Sequence, residues 1–313
     1  MSKKKVWNFI ALLSAVLLIL PGDSLADESA QLTQGQANPY KVKFGLRLTG
    51  GVFPLMRNDF NDHLQSYNDL YEDYLDYYPY FIVNSEFEML KMGMDFSGEI
   101  LVSFMPHFSM GIGAGYLSAG KETAMEVTDT LSSSDHTNTY NIKFSVIPIT
   151  LSLYYGIPVG SSMQVMLNAG LGYYLGTVNF NLFSEGDINS FTEEGTDEWS
   201  AKSNSLGFHG GIDLEFGIAR NVALVVGAKG RYAKLTDLAG TEDYDYNRSN
   251  GYSYSYTDED ATLWYGNYKE GSNYYAQVIL SQNKPTGSSW SDVRKAEVNL
   301  SGIVFQAGIK ITF

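Results

Sequence analysis

The residues of this chain best placed to do chemistry are charged side chains that recur at alternate positions of otherwise apolar stretches. In a strand, alternate side chains share a face. On that reading Lys43, Arg47, Glu99, His209, Asp213, Glu215, Lys229, Arg231 and Lys310 lie on one face with small residues, opposite a face of Val, Leu, Ile, Phe and Met. Both signs of charge on a shared interior face can form a proton- or ion-conducting path, or can neutralise one another as a salt-bridged plug. A ring of about eight strands has an interior just wide enough for side chains, which favours the plug.

Other constellations carry less. His209 and Asp213 share a face but stand about 13 Å apart along one strand, too far for a catalytic dyad. Ser134-Asp135-His136 holds the residue types of acyl transfer, yet neighbours on a strand point apart. Gly111-Ile-Gly113-Ala-Gly115 has phosphate-loop spacing but no helix to follow it, so its glycines continue the strand period toward the interior. Asp243 with Asp245, and Asp258 with Asp260, are calcium-ligand types, but without the twelve-residue loop pattern the reading favoured for them is a solvated acidic surface. No cofactor is implied, and the expectation is a non-enzymatic protein.

Eight segments must position these residues. They fall at residues 41–53, 92–104, 108–120, 140–155, 163–173, 205–216, 222–232 and 300–313, each alternating apolar with polar or small positions. In the fourth, Tyr140, Ile142, Phe144 and Val146 and then Ile149, Leu151, Leu153 and Tyr155 read as outward, and the change of phase places a bulge at Ile147-Pro148. The connections alternate in length. Residues 54–91, 121–139, 183–204 and 236–299 are long; residues 105–107, 156–160 and 218–221 are short. In the first long connection Phe60, Leu64, Tyr67, Tyr71, Tyr74 and Tyr78 recur at helical spacing, predicting an amphipathic helix across the mouth. In the last, Tyr252 to Tyr256 and residues 274–281 predict a projecting hairpin or an extra pair making ten strands.

A closed ring with an apolar outside and a polar inside suits lipid, because no backbone group is left unpaired there. Aromatic girdles are expected: Phe104, Phe108, Tyr154, Tyr155, Phe216 and Phe313 by the short turns, and Phe53, Tyr116, Tyr140, Tyr173 and Tyr232 by the long loops. A soluble up-and-down barrel would bury its apolar face instead. Residues 1–26 have three lysines, an apolar run shorter than the ~20 residues of a spanning helix, and small residues at Ser24 and Ala26. That pattern predicts a secretory signal peptide cleaved after Ala26. Residues 27–39 read as a flexible lead and 40–313 as one domain. The chain has no cysteine, so neither disulfides nor a lipid-modified cysteine is available; its net charge of -14 argues against nucleic acid as a partner.

The terminal run Gln306-Ala-Gly308-Ile-Lys-Ile311-Thr-Phe313 resembles the C-terminal assembly signal of bacterial outer-membrane barrels, with Gln306, Gly308, Ile311 and Phe313 at its defining positions. With residues 107–116 and 147–155, it makes most of the chain similar to the eight-stranded OmpA/OmpX/OmpW-like barrel superfamily. The resemblance implies an all-β, transmembrane, antiparallel up-and-down barrel in a Gram-negative outer membrane, with periplasmic turns and extracellular loops. It also implies contact with outer-membrane lipid and lipopolysaccharide, and assembly by periplasmic chaperones and the barrel-insertion machinery. The expected role is structural or adhesion-like surface recognition of an extracellular protein or glycan. Tyr71, Tyr74, Tyr78, Tyr252, Tyr254, Tyr256 and Trp264 are the candidate contacts, since tyrosine offers rigid area with a polar tip. The alternatives are a narrow OmpW-like channel for ions or small molecules and a lipid-modifying enzyme using His136 or His209.

Overall fold

Alternating sequence gives strands, and here the strands close on themselves. The computed structural model describes residues 41–55, 58–132, 134–188 and 191–313; the expected signal peptide and lead lie outside the described residues. The elements are β1 (Lys43–Pro54), α1 (Asp59–Tyr77), β2 (Phe81–Ser85), β3 (Met92–Met105), β4 (Phe108–Asp129), β5 (Ser134–Pro158), β6 (Met163–Ile188), β7 (Phe191–Ala219), β8 (Val222–Tyr232), β9 (Lys234–Leu235), β10 (Ala239–Arg248), β11 (Ser253–Glu270), β12 (Asn273–Ser281), β13 (Trp290–Lys295), β14 (Val298–Asn299) and β15 (Gly302–Thr312). Strands β1, β3, β4, β5, β6, β7, β8 and β15 pair antiparallel in a closed ring, with β15 seated between β1 and β8. A closed ring has no unpaired edge.

The sheet contains thirteen strands rather than about eight. The difference lies in segments whose polar composition reads as loop. β6 and β7 run for 26 and 29 residues, far beyond the ~9–11 that a tilted strand needs to cross a hydrocarbon layer. Above Tyr232 the chain leaves the ring, and β10 takes its place beside β7: β8 pairs with β7 from Phe208 to Ala219, β10 from Glu193 to Lys202. β11, β12 and β13 extend this lateral sheet. The expected hairpin forms, with β11 antiparallel to β12, but it is joined to β7 through β10 and adds no ninth or tenth strand to the ring.

The bulge expected at Ile147-Pro148 does not form. The β5–β6 register is unbroken from His136↔Gly186 to Pro158↔Gln164. Tyr140, Ile142, Phe144 and Val146 point inward and are at most 2% exposed, while Ile147, Leu151 and Leu153 point outward and are about half exposed. The strand keeps its phase, and the polarity of the two faces exchanges instead. Toward the long connections the interior is a dry apolar core and the outside carries Asn141 and Lys143; toward the short turns the interior is polar and the outside apolar. Val304, the one apolar residue on the inner face of β15, is buried at this boundary.

Helix α1 fills the upper interior. Asn58 caps it by accepting from the Asn61 N–H at 3.0 Å, and Asp59 and Asp62 place negative charge in the first turn. Phe60 and Leu64 are fully buried, and the Phe60 ring meets Phe144 and Phe180 at 5.2 and 6.1 Å. The helix also covers an edge of β12. The Ala276 N–H donates to Ser66 Oγ at 2.8 Å and the Val278 N–H to His63 Nδ1 at 3.2 Å, which satisfies donors that an open edge would leave bare. Arg294 locks the helix start by a bidentate pair to Asp59 at 2.6 and 2.7 Å.

Candidate functional site

Two places gather the residues that the sequence singles out. The first is the lower interior of the ring. Arg47 Nη2 donates to Asp213 Oδ2 at 2.7 Å, and Gln306 and Asn168 donate to the same carboxylate at 2.8 and 3.0 Å. Arg231 pairs with Asp95 at 2.9 Å, with Lys229 Nζ at 3.7 Å from the same acid. Lys310 pairs with Glu215 at 2.6 Å. Glu99 accepts from Ser152 at 2.8 Å and from the Tyr154 hydroxyl. The cations sit on β1, β8 and β15 and their partners on β3 and β7, so each pair spans the interior. Along the ladder Arg47 lies between Lys310 of β15 and Glu99 of β3, and His209 lies opposite Arg231.

Space for these groups comes from glycines in cross-strand register. Asp213 lies opposite Gly227, Glu99 opposite Gly113, and His209 opposite Gly170. A Cβ at Gly227 would stand 2.1 Å from Asp213 Oδ1, and one at Gly113 2.4 Å from Glu99 Cγ. What remains inside is a cavity of about 30 Å³ lined by Arg47, Asp95, Glu99, His209 and Arg231 among others, room for about one water.

Several expectations change here. Lys43 has the alternation of Arg47 but lies exposed at the lower end of β1, outside the buried network. Tyr154, read as a girdle residue, points inward and is 4% exposed. Phe53 also turns inward, beneath the Arg231 guanidinium at 4.6 Å, and Tyr140 joins the upper core. Phe104, Phe108, Tyr116, Tyr155, Tyr173, Phe216, Tyr232 and Phe313 are exposed on the outside. Asp95, Ser152 and Tyr154 are members of the network that the sequence reading passed over, although Asp95 shares its alternation with Glu99. Within the terminal motif, Gln306 is buried against Asp213, Gly308 lets β1 approach (a Cβ would meet Leu48 O at 2.0 Å), Ile311 is half-buried, and Phe313 is exposed.

The hydrolytic candidates do not assemble. His209 Nε2 meets Ser152 Oγ at 3.1 Å, but that hydroxyl donates to Glu99 and Ser152 is fully buried. His136 Nε2 meets Ser184 Oγ at 3.2 Å, while Asp135 is engaged by Thr128 at 2.7 Å. Both Ser–His contacts come from different strands and are invisible to sequence spacing. Asp243 accepts from Thr257. Among the described residues, no group of three or more His, Asp or Glu side chains is placed to hold a metal ion.

The second place is a cleft of about 560 Å³ beside α1, lined by Tyr71, Tyr74, Tyr78, Tyr80, Phe81 and His136 with Leu75 and Val127. The other tyrosine group lies apart, on the β10–β11 hairpin: Tyr252, Tyr254 and Tyr256 are exposed, and Tyr256 stacks on Tyr244 at 5.2 Å. Trp264 is half-buried, its Nε1 donating to Ser281 O. Behind that hairpin lies an acidic pair. Burial, then the neighbouring Glu242, push the Asp197 carboxyl up to about 7. Trp199 Nε1 donates to Asp197 at 2.6 Å and the Tyr256 hydroxyl to Glu242 at 2.9 Å.

These elements define an all-β antiparallel protein with a closed ring of strands, an arrangement compatible with a β-barrel. No family model matches the chain, and no curated protein matches it. Among the described residues no helix is long and apolar enough to cross a membrane, which says nothing of strands.

Proposed function

We propose that this chain is an integral outer-membrane β-barrel with a plugged interior, exported by its N-terminal signal and presenting its long connections outside as a non-enzymatic recognition surface. The observation that carries the reading is the exchange of polarity in the lower ring. Leu48, Phe96, Ile112, Leu151, Leu171, Phe208, Val226 and Phe305, one from each ring strand, are all exposed on the outside, whereas the inside holds paired charges. Contiguous apolar surface of that extent is rare on soluble monomers, and a lipid layer is the solvent that suits it. On β7 the exposed apolar positions run from Leu206 to Ile218, enough for the ~9–11 residues that a tilted spanning strand needs.

The ion pairs across the interior support a plug over an OmpW-like channel, since side chains occupy the width that eight strands provide. A lipid-modifying activity has less support: Ser152 is sealed inside and Asp135 is turned to Thr128. Outer-membrane lipid, lipopolysaccharide, the chaperones and the insertion machinery are the partners this reading entails. Refolding the mature chain into vesicles and digesting from outside tests it. Protection of the segments bearing the apolar band, with cleavage confined to the long connections, is expected; a chain that stays monodisperse in buffer without lipid overturns it.

A further inference from the structure

We infer that the cleft beside α1 binds a small soluble organic cation with a trimethylammonium-type head. The inference rests on the surface-recognition reading and names a ligand class for it. Helical spacing puts Tyr71 and Tyr74 on one side of α1, Tyr78 caps its C-terminal end, and the turn that follows brings Tyr80 and Phe81 beside them. The rings do not lie flat on one another. Tyr71 and Tyr74 meet at 82° and 6.1 Å, Tyr74 and Tyr78 at 53° and 6.3 Å, Tyr78 and Tyr80 at 56° and 5.7 Å, and Tyr78 and Phe81 at 86° and 6.2 Å. These rings pack against one another and together line the one cleft, and an aromatic lining suits a cation.

Charge favours the same ligand. No Lys or Arg lines the cleft. Glu270 lies 3.4 Å from the Tyr74 hydroxyl, Asp129 shares the face of β4 with Val127, and Glu72, Asp73 and Asp76 belong to α1 on a chain of net charge -14. A lining without lysine or arginine, with Glu270 at its edge, favours a cation over an anion. A sugar would need several converging donors and acceptors, whereas the lining offers only tyrosine hydroxyls and His136, and the Tyr74 hydroxyl is already engaged by Glu270. A volume of about 560 Å³ is ample for the head and a short tail.

The test is saturation-transfer NMR on the N-methyl signal of choline, with the full chain refolded in a maltoside detergent that carries no choline group. Its neutral isostere, 3,3-dimethylbutan-1-ol, has nearly the same shape. Choline is expected to bind about tenfold more tightly than the isostere, with binding lost in Tyr78→Ala and kept in Tyr74→Phe. Equal affinity for the isostere would reduce the site to an apolar cleft and overturn the proposal, as would absence of choline binding or binding indifferent to Tyr78→Ala. The isostere comparison needs no variant to fold. Protease protection in choline-free vesicles reads the membrane assignment separately: protected strands with no choline signal overturn this inference alone, and unprotected strands overturn the reading beneath it.

Discussion

Arg47 on β1 and Asp213 on β7 meet at 2.7 Å, yet β15 and β8 lie between their strands in the sheet. Only closure of the ring brings the two together, so this pair reports on closure itself. Both side chains are almost wholly buried. Arg47→Ala leaves the Asp213 charge inside without its cation and is expected to cost ~3–5 kcal/mol, read as a lower urea midpoint in micelles. Replacing both by apolar residues of similar volume should recover much of that loss; additive losses in the double variant would show that the two do not act as a pair.

Gly227 stands opposite Asp213, and a methyl there would fall 2.1 Å from Asp213 Oδ1 and 2.5 Å from Ile212 O. The carboxylate tip can swing, but the carbonyl belongs to the ladder. Gly227→Ala is expected to destabilise by ~1–3 kcal/mol. Gly217→Ala, whose nearest neighbour would be Ser162 O at 3.5 Å, should be close to neutral, and equal effects at the two positions would count against the crowding argument.

Leu64 anchors α1 in the upper core. Leu64→Ala should cost ~2–5 kcal/mol through the lost burial and the cavity left behind. Hydrogen exchange localises the effect: the Ala276 and Val278 amides, which donate to the helix, should lose protection first, while ring amides near Arg47 keep theirs. Uniform loss would mean that the helix and the ring unfold as one.

Two groups in the upper half titrate in opposite senses. Burial lowers His63 from 6.5 to about 3, so its contribution is complete above 6.5 and is lost as pH falls toward 3. Asp197 is raised from 3.8 to about 7, so its contribution is complete below 3.8 and is lost as pH rises through 7. It faces Glu242 from β10, with Tyr67, Tyr140 and Tyr244 nearby. Between pH 4 and 6.5 the two slopes oppose each other. Proteolysis of the β10–β11 hairpin should slow with rising pH in Asp197→Asn and quicken with rising pH in His63→Asn; profiles matching the unsubstituted protein would remove these groups as the cause.

Planar-bilayer recordings decide between plug and channel. Silence is expected from the full chain and from a variant with residues 236–299 replaced by a short turn, because the ion pairs lie below that segment. Discrete openings in either would revive the channel reading, with Asp213, Glu215, Lys229 and Arg231 as the residues to substitute.

Period-two alternation by itself determined the strand-rich class, the short turns, and the inward placement of Arg47, Glu99, His209, Asp213, Glu215, Arg231 and Lys310, because a strand's faces follow from its pleat alone. The helical spacing from Phe60 to Tyr78 likewise specified α1. Alternation separates two faces without saying which of them meets solvent. Tyr140 to Val146 therefore read as outward and Ile147-Pro148 as a bulge, when the strand runs straight and α1 supplies a dry interior from a distant part of the chain. Which charges pair was decided by ring closure, since Arg47 and Asp213, or Arg231 and Asp95, are strangers in sequence. The pairing of β10 with β7, outside the ring, decided the Asp197–Glu242 pair and the joining of residues 236–299 to the sheet: polar strands have no hydrophobic face to announce them, and only a partner strand turns them from loop into sheet.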